Sequence, residues 1–77
     1  MSESRPVGIG IIGVGGIAVS HMAALRTMDT AKLVAVTDLD DVRAREAARS
    51  AGCVAAADVD ALLADPMVEA VIVCTPN

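Results

Sequence analysis

Short apolar runs rich in Val and Ile alternate along this chain with longer stretches whose apolar residues recur at helical spacing. Runs of the first kind predict strands and stretches of the second kind predict helices. The predicted strands are residues 7–12, 32–37, 53–56 and 68–74, and the predicted helices run from residue 15 or 16 to about 28, over 41–51, and over one or two turns after 58. Short connections and right-handed crossovers then predict an α/β protein with a doubly wound parallel sheet in the order 3-2-1-4 and helices on both faces.

The first strand has a nearly bare face. Alternation places Val7, Ile9 and Ile11 on one side and Gly8 and Gly10 on the other. A face without side chains lets a helix approach the backbone closely, although glycines inside a strand also fit a weakened strand with a bend.

The sequence also predicts which residues of the three helices face the core and where the helices begin and end. In the first helix, a single buried stripe is predicted that places His21 in the core as a hydrogen-bonded histidine rather than near a ligand; its members are Ile17, His21, Ala24, Leu25 and Met28. The second helix has an N-cap at Asp40, a terminator at Gly52 and an inward stripe of alanines at 44, 47, 48 and 51. Asp58 is predicted to cap the third helix, which carries Val59, Leu62 and Leu63 and ends at Asp65-Pro66.

Composition narrows the function classes. The chain has 77 residues, 55% of them hydrophobic and none of them Phe, Trp or Tyr, with a formal net charge of −4. Without aromatic platforms and with a negative charge, nucleic-acid binding is not expected. The longest apolar run falls short of the roughly 18 residues of a membrane span, so no membrane association is expected. Residues 1–6 are interpreted as a frayed leader and residues 7–77 as one folding unit.

The two cysteines are not predicted to form a disulfide or a metal site. In the order 3-2-1-4, Cys53 and Cys74 lie three strand spacings apart, about 14 Å, which is too far for a bridge. Two thiols are also too few ligands for a metal ion. Reduced cysteines favour the cytoplasm.

A glycine-rich turn joins the first strand to the first helix. In Gly13-Val14-Gly15-Gly16, Gly13 permits a tight turn and Gly15 leaves room for a pyrophosphate to approach the backbone. The N-terminus of the helix that starts there offers free N–H groups and a partial positive charge to an anion. Ala18 stands where the dinucleotide-binding pattern has a third glycine, a replacement that still lets helix and strand pack closely.

Asp38 ends the second strand, about 20 residues past the glycines, where a carboxylate can accept hydrogen bonds from an adenosine ribose. A carboxylate there repels a 2′-phosphate, so NAD is favoured over NADP. Two alternatives stay open: Arg43 or Arg45 could reach a 2′-phosphate instead of facing solvent, and Asp38 could be a simple turn residue.

The last four residues follow the fourth strand. Cys74, Thr75, Pro76 and Asn77 are predicted to lie beside the glycine turn, with a hydroxyl and an amide that could hold the nicotinamide-side ribose. A plain proline turn that ends a strand is the other interpretation.

Together these motifs identify a resemblance. The first resembling segment covers residues 7–18 with Ser20-His21, the second is Val36-Thr37-Asp38, and the third is residues 69–77, Glu-Ala-Val-Ile-Val-Cys-Thr-Pro-Asn. The combination resembles the amino-terminal part of the glucose–fructose oxidoreductase / inositol dehydrogenase (Gfo/Idh/MocA) family, a partial Rossmann fold. The resemblance implies that Gly13, Gly15, Gly16 and Ile17 cradle the pyrophosphate, that Asp38 takes the adenosine ribose, and that residues 75–77 lie along the nicotinamide half.

Members of that family usually continue into a Glu-Lys-Pro segment, whose lysine takes part in catalysis, and a second α/β domain that holds a sugar-like substrate. This chain is therefore expected to be the NAD-binding portion of an oxidoreductase acting on a sugar or polyol, and to bind NAD without turnover. Lys32 starts the second strand at the opposite edge, and His21 is expected to be buried, so no acid–base group is predicted. The alternatives are a non-catalytic module that forms a homodimer through the apolar edge of the fourth strand, and a fragment of an S-adenosylmethionine-dependent transferase.

Overall fold

The computed structural model describes residues 5–74, which form alternating strands and helices in the predicted order. The elements are β1 (Val7–Ile12), α1 (Gly16–Arg26), β2 (Ala31–Thr37), α2 (Asp41–Ala51), β3 (Val54–Ala55), α3 (Val59–Ala64) and β4 (Ala70–Val73). The first helix ends two residues before the predicted end near residue 28, and β3 and β4 are shorter than predicted. Backbone hydrogen bonds nevertheless extend the β1–β4 pairing at both ends, from Glu69 N–H to Gly8 and from Cys74 N–H to Ile12.

The four strands form one parallel sheet in the order β3-β2-β1-β4, as predicted. Strand β1 is paired along most of its length on both sides. The β1–β2 register shifts between Ile9 and Gly10, where the pairing skips Val34. Because all strands run in the same direction, the carboxyl ends of β1, β2 and β4 lie at one edge of the sheet, and the glycine-rich turn leaves from there.

The two faces of the sheet are packed differently. Ile9, Ile11 and Val36 belong to a buried cluster that also contains Ala18 and Leu25 of α1 and Ala48 of α2. The opposite face carries α3, where a Cβ added at Gly10 would lie 2.7 Å from Leu62 Cδ2. Leu62 itself is fully buried. The bare face of β1 is thus confirmed as the place where a helix packs closely.

Helix α1 has a different inward face from the predicted one. Ala18 is fully buried, Leu25 is buried and Met22 is partly buried, whereas His21 and Ala24 are exposed and Met28 is 47% exposed. The expectation of a core histidine at position 21 is therefore wrong. Ala18 belongs to the same buried cluster as Ile9 and Ile11 of β1, and residues 22 and 25 follow it on the same face of the helix. The side chain of Ile17, which the prediction placed on the stripe, lies outside the described part of the structure.

Helices α2 and α3 begin and end at the predicted residues. Asp40 accepts hydrogen bonds from Val42 N–H (3.1 Å) and Arg43 N–H (3.2 Å), and Gly52 adopts φ 72°, which is left-handed. The alanine stripe of α2 faces inward, with Ala44 and Ala48 buried. Asp58 caps α3 by accepting from Ala61 N–H at 2.8 Å. Of the three apolar residues predicted for α3, however, only Leu62 is buried; Val59 and Leu63 are exposed.

Arg5 and Glu69 connect the start of the described chain to the start of β4. The guanidinium of Arg5 donates to both carboxylate oxygens of Glu69, at 3.1 and 2.8 Å, and Gly8 N–H donates to the same carboxylate at 2.9 Å. Residues 1–4 of the proposed leader lie outside the described range, and the boundary between leader and folding unit stays a prediction.

Candidate functional site

The turn after β1 contains the first element of the candidate site. Gly13 has φ 90°, a left-handed conformation that glycine adopts without steric cost. Its N–H donates to the Thr37 carbonyl at 2.8 Å, so the turn begins while the chain is still bonded to the end of β2. This conformation gives the tight turn that the sequence predicts at Gly13.

Asp38 is in direct contact with that turn. Val14 N–H donates to Asp38 Oδ2 at 2.8 Å, and Asp40 N–H donates to Asp38 Oδ1 at 2.8 Å. The structure thus brings together two of the predicted site features, although they are 24 residues apart in sequence. A hydrogen bond from the N–H two residues further on is typical of an aspartate in a turn. Asp38 is therefore a turn residue and also lies at the edge of the candidate site.

The Asp38 carboxylate is held ionised. Hydrogen bonds from the backbone N–H groups of Val14 and then Asp40 keep the pKa of Asp38 below its ordinary value; burial acts in the opposite direction, and the charge of Arg43 adds a smaller lowering effect. Each carboxylate oxygen can accept more than one hydrogen bond, so both retain capacity for another donor. A ribose diol is a donor pair of the right kind.

Gly15 has open space around it. A Cβ added there would meet no atom within 4 Å, and its φ of −77° is accessible to any residue. Neither packing nor backbone conformation in the described chain therefore requires a glycine at this position. The space is available for a ligand that approaches the backbone, as the pyrophosphate interpretation demands.

Helix α1 starts at Gly16, directly after this open position. The N-cap residue, Gly15, has no side chain that could accept from the first N–H groups of the helix, and the first turn contains no acidic residue. The first N–H groups of a helix lack intrahelical partners and carry a partial positive charge, which suits an anion. Gly16 and Ile17 contribute this first turn, and the side chain of Ile17 lies outside the described part of the structure. Ala18, fully buried among Ile9, Ile11 and Val14, shows why a small residue is needed where the pattern has a third glycine.

Cys74 is the last described residue on the nicotinamide side of the predicted site. It is half-buried, and its N–H donates to the Ile12 carbonyl at 2.8 Å, which places it beside the start of the glycine turn. Thr75, Pro76 and Asn77 lie outside the described residues. Cys53 is also a free thiol, at the opposite side of the sheet, and burial raises its pKa.

The remaining candidate groups lie elsewhere. Lys32 is in the first part of β2, at the edge opposite the glycine turn, and His21 is on the exposed surface of α1. An open cavity of about 380 Å³ occupies that opposite edge, between the end of α1, the start of β2 and the end of α2, and no predicted site residue lines it. Over residues 5–74 no group of three or more potential metal ligands is found. No helix in the same range is long and apolar enough to cross a membrane.

Sequence reasoning missed the hydrogen bond from Val14 to Asp38. The signal was present, because the ends of adjacent parallel strands lie at one edge and an acidic residue directly after β2 can reach the turn after β1. It also missed Glu69 as an acceptor for Gly8 and Arg5, for which no local pattern exists.

A glycine turn at the carboxyl edge, an acid at the end of β2 and the order 3-2-1-4 define a dinucleotide-binding Rossmann domain. A family model described as the Gfo/Idh/MocA oxidoreductase family, with an NAD-binding Rossmann fold, matches residues 7–77. The chain belongs to this family and is its NAD-binding part.

Individual proteins that are similar to this chain are described as dehydrogenases or oxidoreductases. Glucose-6-phosphate 3-dehydrogenase of Bacillus subtilis is 41% identical over 69 residues, which are 90% of this chain and 19% of that protein. The crystal structure of myo-inositol dehydrogenase from Lactobacillus casei, in complex with NAD(H) and myo-inositol, is similar at TM-score 0.84 and 34% identity, over 92% of this chain and 22% of that one. A structure from Desulfitobacterium hafniense, described as an NADPH-dependent oxidoreductase, matches at TM-score 0.92 and 31% identity, over 97% of this chain and 22% of that one. The chain thus spans about a fifth of the length of these relatives.

Stability is expected to fall in acid because hydrogen bonds in the fold lower the pKa of two carboxylates, those of Asp38 and Glu69. Backbone and side-chain hydrogen bonds, from Gly8 and then Arg5, lower the pKa of Glu69, as those from Val14 and Asp40 lower the pKa of Asp38. A carboxylate whose pKa is lower in the folded state stabilises the fold above its unfolded pKa, about 4, and this contribution disappears as the pH falls through the folded value. Urea unfolding at several pH values between about 3 and 7 should show a midpoint that declines below about pH 5.

A matched pair of variants separates these two carboxylates from general charge effects. The double substitution Asp38→Asn with Glu69→Gln should flatten the decline, whereas Asp60→Asn, which removes an exposed carboxylate on α3, should leave it in place. An equal decline in the double variant would contradict the assignment.

Proposed function

We propose that this chain binds NAD across the glycine turn and Asp38, as the cofactor-binding portion of a longer dehydrogenase that acts on a sugar or polyol. The observation that carries the proposal is the open position at Gly15, directly beside a turn that is hydrogen-bonded to Asp38. A glycine that neither packing nor conformation requires is explained by a ligand that occupies the space.

The residues present fit the dinucleotide. Gly13, Gly15, Gly16 and Ile17 would hold the pyrophosphate, with Ala18 packed behind them, and Asp38 would accept hydrogen bonds from the adenosine ribose. Cys74 and residues 75–77 would line the nicotinamide half. Bound NAD supplies a hydride acceptor, and the groups that select and orient a substrate lie outside the described residues.

A preference for NAD over NADP follows from the state of Asp38. Its carboxylate is ionised and fixed by two backbone hydrogen bonds, so it cannot easily move away from a 2′-phosphate that it repels. The basic residues offer limited compensation: Arg45 forms an ion pair with Asp41 at 3.6 Å, while the charge of Arg43 acts on Asp38. The similarity to an NADPH-dependent oxidoreductase makes this preference worth measuring directly.

Calorimetric titration with NAD, NADP and S-adenosylmethionine tests the cofactor proposal. NAD should bind at least about tenfold more tightly than NADP, a difference of about 1.4 kcal/mol. Asp38→Asn should reduce that ratio, and the control Asp60→Asn, which removes the same charge from the exposed surface of α3, should preserve it. Tighter binding of NADP would contradict the preference, and binding of S-adenosylmethionine alone would favour the transferase alternative.

The substrate class is supported by the names of the relatives, which act on glucose 6-phosphate or bind myo-inositol. The longer protein should reduce NAD in the presence of a polyol or sugar phosphate, whereas the 77-residue chain should bind NAD without turnover. Turnover by the 77-residue chain would contradict this division of roles.

A second candidate is a homodimer formed through the edge of β4. Val71 is 36% exposed and Val73 66% exposed on this edge strand, and an exposed apolar edge promotes strand pairing. Light scattering over a concentration series should then show a dimer, and a monomer throughout would remove the candidate. The free thiols Cys53 and Cys74 support a reducing compartment, and we place the protein in the cytoplasm on that basis.

A further inference from the structure

We propose that Asp38 is a positioning residue for the glycine turn as well as a ribose ligand, so that it strengthens binding of the pyrophosphate, which it does not touch. The inference rests on the proposed function, because it concerns how the same site holds its ligand. One carboxylate thereby affects the binding of both the adenosine ribose and the pyrophosphate.

The geometry is a pair of successive hydrogen bonds between the end of β2 and the turn after β1. Gly13 N–H donates to the Thr37 carbonyl at 2.8 Å, and the next N–H, that of Val14, donates to Asp38 Oδ2 at 2.8 Å. The second of these is charge-assisted, and such bonds are stronger than those between neutral groups. The turn is therefore attached to β2 through a side chain at the point where the backbone ladder ends.

Asp38 is itself held in place. Its other oxygen accepts from Asp40 N–H at 2.8 Å, and Asp40 in turn caps α2. The carboxylate is thus fixed from one side by the start of α2 and contacts the turn from the other. A carboxylate held in this way defines a fixed point against which a flexible segment can be oriented.

The turn needs such a fixed point because it is rich in glycine. Gly13, Gly15 and Gly16 give this segment more conformational freedom than other residues would. The side chains of Val14, within the turn, and Ala18, just after it, anchor the segment in the core, with exposed fractions of 6% and 0%. The Val14–Asp38 bond restricts the segment directly before the open position at Gly15. Without it, more turn conformations compete with the one that binds pyrophosphate, and the ligand must bear the cost of ordering.

A ligand without ribose hydroxyls separates the two roles of Asp38. ADP presents both the diol and the pyrophosphate, whereas 2′,3′-dideoxy-ADP presents the same pyrophosphate without the diol. If Asp38 only contacts ribose, Asp38→Ala weakens ADP and leaves 2′,3′-dideoxy-ADP unchanged. If it also positions the turn, both ligands lose affinity, with about a tenfold loss expected for the dideoxy compound.

Calorimetry on the 77-residue chain and its variants performs this comparison. We expect Asp38→Ala to weaken both ligands and Asp38→Asn to recover part of the affinity for 2′,3′-dideoxy-ADP, because the amide oxygen can still accept from Val14 N–H. The control Asp41→Ala should leave both affinities unchanged. Unchanged binding of 2′,3′-dideoxy-ADP to Asp38→Ala, with ADP weakened, would overturn the positioning role and leave the ribose role intact.

A ligand-free readout keeps the inference separate from the proposed function. In ¹⁵N-resolved NMR of the unmodified chain, the amide protons of Val14 and Asp40 should shift with pH at one common midpoint, that of Asp38, and the Val14 amide should exchange slowly. Fast exchange and a pH-independent Val14 shift would overturn the inference. Failure of the chain to bind ADP or NAD would contradict the proposed function, while the Val14 measurement would still decide the positioning role.

Discussion

Replacing Gly8 with alanine is expected to prevent the chain from folding. An added Cβ would overlap the backbone carbonyl oxygen of Met67 and lie 3.1 Å from Val34 Cγ2. The strands cannot separate to relieve this overlap, because Gly8 is bonded to Glu69 through both its N–H and its carbonyl, at 2.9 and 2.8 Å. A destabilisation above about 4 kcal/mol is expected, which matches the lower end of the total stability of about 4–11 kcal/mol for a chain of this length.

Two other glycines are graded controls for this result. Gly10→Ala would place its Cβ 2.7 Å from Leu62 Cδ2, the end of a side chain that can shift, and should cost less. Gly15→Ala would meet nothing within 4 Å and should leave stability nearly unchanged. Circular dichroism shows which of the three variants fold, and urea unfolding measures the stability of those that do. A Gly8→Ala protein as stable as Gly15→Ala would contradict the β1–β4 register described above.

Replacing Gly15 with valine is expected to abolish NAD binding while the fold is retained. The isopropyl group would fill the space through which the pyrophosphate approaches the protein backbone. An affinity loss of at least about 100-fold is expected, corresponding to about 2.7 kcal/mol. The fold should tolerate the change because the position is open and its φ of −77° suits any residue.

Calorimetry with NAD, together with a thermal melt, measures both effects. The matched control is Ala23→Val, which introduces the same isopropyl group at an exposed position of α1 and should bind NAD normally. Normal NAD binding by the Gly15→Val protein would show that the open position is not the ligand's place.

The bare face of β1 and the caps of the helices could be predicted from the sequence. The alternation along β1 placed Gly8 on a bare face, and the packing of Met67 and Leu62 against that face confirms it. The caps at Asp40, Gly52 and Asp58 were also predictable, because each depends on local backbone chemistry that its own residue type supplies.

The orientation of α1 was not predictable from its sequence. Apolar residues occur around most of the helix, and Val19, Ala23 and Ala24 remain exposed in the structure. A pattern that is apolar on several sides does not define one inward face. In the structure the inward face carries Ala18, Met22 and Leu25, and His21 lies outside it.

The candidate site was predictable in its parts but not in its connections. The glycine turn and Asp38 each have a recognisable sequence context, because the fold requires a turn after β1 and places an acid at the end of β2. The hydrogen bond that joins them depends on the relative height of two strand ends. The Arg5–Glu69 pair spans 64 residues and depends on the register of β4 against β1, which no local pattern contains.

Residue-resolved NMR of the chain during titration with NAD shows whether the dinucleotide binds at the glycine turn and Asp38. We expect the largest amide shifts at Gly13, Val14, Gly15 and Asp38, while the residues around the cavity at the opposite edge, such as Lys32 and Ala51, stay unchanged. Saturable shifts confined to that opposite edge would contradict NAD binding at the glycine turn. The absence of shifts at the glycine turn at saturating NAD would contradict it as well.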